Sequence, residues 1–146
     1  THPARTTHKS WALTMFRCLA KYSPVMQTLL HIARALGDEN RIRLLMALRS
    51  EELCACQLTE LLGLAPSTVS KHLSLLAQAG LVQQRKQGRW MYFRLPDADA
   101  PTVVREALDW VRKAAARKPR ILEDRQHLTK IIQQDPSELC KRQCHR

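Results

Sequence analysis

From Val25 onward apolar residues recur every three or four positions. Leu29, Leu30, Ile32, Ala33 and Leu36 give an amphipathic helix that stops at Gly37. Asp38 is a good N-cap for a second helix, in which Ile42, Leu44, Leu45 and Leu48 form the buried stripe. Arg41, Arg43 and Arg49 are expected to point outward, and Ser50-Glu51-Glu52 makes a polar break. Residues 54–81 then read as two short helices joined by a tight turn. Leu58, Leu61 and Leu62 share one side of the first, Gly63 supplies the left-handed turn, and Pro66 suits the first position of the second. There Val69, Leu73 and Leu76 fall on one side, while Ser67, Ser70, Lys71 and Ser74 face elsewhere. Gly80 ends this helix, and residues 81–85 and 89–95 read as two strands around Gln87-Gly88. In the second strand Met91, Phe93 and Leu95 alternate with Trp90, Tyr92 and Arg94, the period of a half-buried hairpin.

Pro96 and Asp97-Ala98-Asp99 close the hairpin. A late helix over residues 101–116 carries Val103, Val104, Ala107, Leu108, Val111 and Ala115 on one side, with Trp110 widening that face. Lys118-Pro119 breaks it, and Ile121, Leu122, Leu128, Ile131 and Ile132 make one further amphipathic segment. These elements specify a mainly α fold with a small β-hairpin, a winged helix-turn-helix. So small a core leaves its flanking helices little to bury against, so the first and late helices are expected to pair in a twofold dimer. The organisation is an N-terminal extension (1–24), a DNA-binding core (25–96), dimerisation helices (97–135) and a basic tail with cysteines (136–146). Residues 1–10 lack apolar periodicity, and Met15 and Met26 both offer internal starts, so the extension need not be native.

Composition sharpens this picture. A chain of 146 residues is one domain with extensions, and its formal net charge of +11 calls for a polyanion partner. A helix that buries one face and shows short polar groups plus a cation fits a DNA major groove. The base-proximal set is Ser67, Thr68, Ser70, Lys71 and His72. The wing set at the hairpin tip is Arg85, Lys86 and Arg89, with no acid nearby in sequence. No apolar run approaches the roughly 18 residues of a spanning helix, so no membrane partner is expected. Residues 11–16 are apolar but cut off by Arg17, a poor signal peptide. Five cysteines at irregular spacing argue for reduced thiols in a cytoplasmic protein. The isolated His31, His127 and His145 read as surface or cap residues. With no CxxC motif, carboxylate pair or phosphate loop, an enzyme is not expected. The pair Cys54 and Cys56, directly before the first of the two short helices, suggests that a soft ligand controls the reading of DNA.

Ala35-Leu36-Gly37-Asp38, Arg41-Ile42-Arg43-Leu44-Leu45, Leu53-Cys54-Ala55-Cys56, Ser67-Thr68-Val69-Ser70-Lys71-His72-Leu73 and Gly88-Arg89-Trp90-Met91-Tyr92-Phe93 resemble the ArsR/SmtB metalloregulatory repressors over roughly residues 26–95. The resemblance implies a homodimer that represses an operator in double-stranded DNA and lets go when a metal or metalloid binds. No cofactor is required. The Leu-Cys-x-Cys entry resembles the branch whose inducer is As(III) or Sb(III), with Cd(II), Pb(II) or Zn(II) as further candidates. In that branch a third cysteine follows within the same helix, and its place here is taken by Thr59, a poor ligand for a soft ion. The third sulfur must come from elsewhere, and Cys140 and Cys144 are favoured over Cys18. The family's other site needs Asp and His on the late helix; Asp109 is followed by Trp110 and Val111, which discounts it.

Residues i and i+2 on an ideal helix point about 200° apart. Ligation of Cys54 and Cys56 to one ion is therefore expected to distort the start of the first short helix. That would misplace two recognition helices whose separation must match a DNA turn of about 34 Å. Two alternatives stay open: a thiol/disulfide redox-sensing repressor on the same scaffold, and a ligand-independent architectural DNA-binding protein.

Overall fold

The computed structural model describes residues 23–145, which form seven helices and a three-stranded sheet. Helix α1 (Pro24–Leu36) starts with Ser23 accepting from the Met26 amide at 3.3 Å, and α2 (Glu39–Ala47) starts with Asp38 accepting from Asn40 at 2.8 Å. Next come strand β1 (Leu53–Cys54), helix α3 (Ala55–Leu62) and helix α4 (Pro66–Gln78). Gly63 joins α3 to α4 at φ 67°, a conformation that costs an L side chain and that glycine adopts freely. Strands β2 (Gln83–Gln87) and β3 (Trp90–Arg94) form the hairpin, followed by α5 (Thr102–Ala115), α6 (Pro119–Ile132) and α7 (Pro136–Cys144).

The core lies where α1, α2, α3 and α4 meet, built on Ile32, Leu44, Leu45, Leu58, Leu61, Val69, Leu73 and Leu76. In α2, α3 and α4 these follow the stripes read from the sequence; in α1 only Ile32 of the expected stripe is buried, with Ala35 beside it, while Leu29, Leu30 and Ala33 lie on the exposed side. The hairpin is shifted by two residues at its start, because Leu81 and Val82 are buried in the core and pairing begins only at Gln83. A two-residue strand, too short for any alternation to announce it, pairs antiparallel with β3 in the order β1-β3-β2, with Leu53 opposite Phe93 and Cys54 opposite Tyr92.

Two further differences concern the flanks. Arg43 does not point outward: it is buried, its Nε donates to Asp124 Oδ2 at 2.7 Å and an Nη donates to Asp124 Oδ1 at 2.9 Å. This pins α6 against α2. The end of the chain is not a loose tail either. Asp135 caps α7 by accepting from Ser137 at 2.9 Å, and Leu139, with no exposed surface, anchors the helix on α3. None of the described helices is long and apolar enough to cross a membrane.

Candidate functional site

Cys54 and Cys56 are two residues apart but face different surroundings. Cys54 is in extended backbone, 1% exposed, and belongs to the core. Its N–H donates to Gln57 Oε1 at 2.9 Å, which ties the strand end to the first turn of α3. Cys56 lies one turn step further on, within the helix and half-buried. It meets Cys140, 84 residues later, with a Cα–Cα separation of 5.5 Å, and the two sulfurs are joined as a disulfide. Because Leu139 seats α7, the next residue is delivered to the start of α3. Gln143 adds a second tether, its Nε2 donating to the Cys56 carbonyl at 2.9 Å.

Cys56, Cys140 and Cys144 line one cleft of about 420 Å³ between α3, α7 and strand β3. Its lining is mainly apolar, with Ala55, Trp90 and Met91 beside the cysteines, and Arg89, Ser137, Lys141 and His145 supply its polar groups. Cys144, in the last residue of α7, is an exposed free thiol. Of the four cysteines expected to hold an ion, three are thus brought to one place and Cys54 is turned into the core. The expected distortion by an i, i+2 pair of ligands loses its premise, since Cys54 precedes the helix and pairs with Tyr92. As the side chains stand, no group of three or more His, Cys, Asp or Glu among the described residues is arranged to hold a metal ion. Cys18 lies outside the described residues. Thr59 is buried and donates to the Ala55 carbonyl at 2.8 Å, a helix-internal bond. On α5, Asp109 is held by Arg112 and Lys113, whose hydrogen bonds keep its carboxyl below the usual carboxylate range.

The polar side of α4 is open. Ser67, Thr68, Ser70 and Lys71 are exposed, while Val69, Leu73 and Leu76 bind the helix to the core. His72 is half-buried, its Nδ1 3.1 Å from an Arg41 Nη. Arg41 in turn donates to the Ala35 and Arg34 carbonyls at 2.6 and 3.1 Å, satisfying the end of α1. In the wing, Lys86 and Arg89 are exposed, and Arg89 stacks on Trp90 at 5.0 Å. Arg85 is engaged by an acid after all. Its Nε donates to both Glu52 carboxylate oxygens at 2.9 Å, and its guanidinium lies 4.8 Å over the Tyr92 ring. That hydrogen bonding holds the Glu52 carboxyl below its ordinary range.

Sequence reading missed Glu52, Gln143 and the helical state of α7. Only the last carried a local signal: Asp135-Pro136 followed by Glu138 is a helix-start pattern. The other two act on partners 33 and 87 residues away.

Residues 38–84 match the family model described as bacterial regulatory protein, arsR family. The arsenic resistance transcriptional regulator ArsR1 of Pseudomonas putida is 35% identical over 94 residues, covering 59% of this chain and 73% of the relative. A cadmium resistance regulatory protein CadC homologue of Staphylococcus aureus is 31% identical over 99 residues, covering 67% and 80%. In fold the chain is similar to HlyU from Vibrio cholerae, with a TM-score of 0.54 at 24% identity over 66% of this chain and all of that one. It is also similar to a homodimeric winged helix-turn-helix DNA-binding domain from Mycobacterium bovis, with a TM-score of 0.52 at 21% identity over 80% of this chain and 94% of that one. An open polar helix face, a basic hairpin behind it and these sequence matches agree: the chain belongs to the arsR family of bacterial regulatory proteins, DNA-binding transcription regulators and not enzymes.

Proposed function

We propose that this chain is a homodimeric operator-binding repressor that releases DNA when a thiophilic ion, As(III) or Sb(III) foremost, is captured by Cys56, Cys140 and Cys144. The reading rests on one observation: three cysteines from opposite ends of the domain share a cleft at the start of the helix-turn-helix. Soft thiolates select ions of this class. A bridging ion with bonds near 2.3 Å, the length of a zinc–thiolate bond, needs sulfurs at most about 4.6 Å apart. Cys56 and Cys140 are close enough to meet that requirement once reduced, and Cys144 lines the same cleft. Relatives named as arsenic and cadmium resistance regulators favour the same class.

Capture draws the last turn of α7 onto the first turn of α3. Because α3 continues through Gly63 into α4, the displacement passes to the helix that carries Ser67, Thr68, Ser70, Lys71 and His72. A coupling of about 1–3 kcal/mol between ion and DNA is typical and suffices for induction.

The test is fluorescence anisotropy of the phosphine-reduced protein on a duplex that it selects from random DNA. Cys56→Ser and Cys140→Ser are expected to bind that duplex within about twofold of wild type, yet stay bound at arsenite levels that release wild type. Cys54→Ala is expected to release normally, having lost only packing. If both Ser variants still dissociated on arsenite addition, this function would be refuted.

The joined sulfurs of Cys56 and Cys140 favour a second reading, in which oxidation by a peroxide sets the same switch. Two thiols then form one S–S bond while hydrogen peroxide is reduced to two waters. Release by peroxide with indifference to arsenite would select it.

A further inference from the structure

Helix α7 ends beside both elements expected to grip DNA. Its Lys141 and His145 line one cleft together with Arg89 and Trp90 of the wing, and among the described residues no acid lines that cleft. Its Gln143 lines a second groove with Gly63, Leu64, Ala65 and Pro66, the turn that leads into α4. Leu139 is buried, and Cys140 and Gln143 are half-buried, whereas Lys141, Arg142 and His145 are exposed. The inward side of α7 is thus spent on α3, and its cations stand on the outside.

In a helix-turn-helix the second helix enters the major groove while the first crosses the phosphate backbone. Here the first helix is α3, and Gln143 fastens the last turn of α7 to its start through the Cys56 carbonyl, at 2.9 Å. Cations placed there meet backbone phosphates, not base edges. Their present partners hold them weakly. Lys141 pairs with Glu138 at 3.1 Å, with both side chains largely exposed. Arg142 lies 4.0 Å from Glu60 and donates to Gln134 Oε1 at 2.7 Å. Exposed pairs of this kind stabilise little, so either cation can exchange its carboxylate for a phosphate. Resting on the operator-binding part of the reading above, and on no captured ion, we propose that the end of α7 is a third DNA-gripping element. Lys141 and Arg142 each take one backbone phosphate beside the contacts of α4 and the wing. The charge of the patch and its continuity with Arg89 and with the turn before α4 select a duplex as the occupant.

The experiment uses the phosphine-reduced full-length chain, free of metal, on a duplex that it selects from random DNA and on a scrambled duplex of equal length. Affinity is measured from about 50 to 200 mM salt. Lys141→Gln combined with Arg142→Gln is expected to lower the log–log salt slope by about 1.8 per bound chain, about 0.9 for each phosphate lost. The loss is expected to agree within about twofold on the two duplexes, because phosphates carry no sequence information. Arg125→Gln combined with Lys130→Gln removes the same charge from exposed positions on α6 and is expected to move the slope by less than about 0.3. Phosphate ethylation is expected to interfere with wild type at positions where it no longer matters to the Lys141 and Arg142 variant. An unchanged slope in that variant, an equal fall in both double variants, or a loss confined to the selected duplex would overturn the proposal. Wild-type binding to the selected duplex in that case would leave the function proposed above standing; wild type that binds neither duplex would overturn both.

Discussion

At the scale of single residues, the ion pair between Arg43 and Asp124 does the most for the scaffold of the site. Both side chains are almost wholly withdrawn from water. The guanidinium also donates to Asn40 Oδ1 at 3.0 Å and to the Leu61 carbonyl at 3.3 Å, so α2, α6 and the last turn of α3 share one cation. Hydrogen bonding to Asp124 raises the Arg43 pKa, which favours the cation. Removing one partner strands a buried charge. Asp124→Ala is therefore expected to lower unfolding free energy by about 3–5 kcal/mol, measured by urea denaturation. The double variant Arg43→Met, Asp124→Leu is expected to recover most of that loss, because a packed apolar pair carries no desolvation cost. Nothing local betrays this residue. Arg43 sits beside the stripe of Ile42, Leu44 and Leu45 with a charge that normally means solvent, and its partner is 81 positions away.

At the scale of elements, an ion pair ties down one of the wing cations expected to meet DNA. Glu52, just before β1, occupies Arg85, so the basic tip is weaker than its sequence implies. Glu52→Gln is expected to free that guanidinium for a phosphate and steepen the salt dependence of DNA affinity by about 0.9 in log–log slope. Arg85→Ala is expected to flatten it less than Lys86→Ala does, since Lys86 has no such partner among the described residues. The pH sense follows from the depressed Glu52 carboxyl. A carboxylate held low contributes fully above its unfolded pKa and loses its contribution as pH falls through the folded value. Wild type is thus expected to approach the Gln variant's salt slope only in acid, below the ordinary carboxylate range. The long elements were legible because their apolar periods and caps are local: Asp38, Gly63, Pro66 and Gly88 stand where a helix or hairpin needs them. The candidate site was half legible. Cys54 and Cys56 mark the place, but which of them faces out depends on β1 pairing with β3, and the meeting of Cys56 with Cys140 is a tertiary contact across most of the fold. A two-residue strand and a nine-residue helix with Leu139 as its one buried residue fall below what periodicity can resolve.

At the scale of the whole molecule, an apolar face remains uncovered among the described residues. Val25, Met26, Leu29 and Leu30 on α1, and Trp110 on α5, present exposed apolar side chains on two adjacent helices. A twofold partner would bury such a face and set two α4 helices at one DNA turn, about 34 Å. Leu30→Glu combined with Trp110→Glu is expected to give a monomer by light scattering and to weaken duplex binding by at least about tenfold, since each copy then grips one half-site. A last consequence comes from the shortest strand. Residues 53 and 54 are rungs of the wing sheet, and residue 55 begins the helix that steers the recognition helix. With no slack residue between them, the wing and the reading head are geared together. A push delivered at Cys56 is therefore expected to loosen both grips on the duplex in one stroke, leaving no half-released state with only one of them engaged.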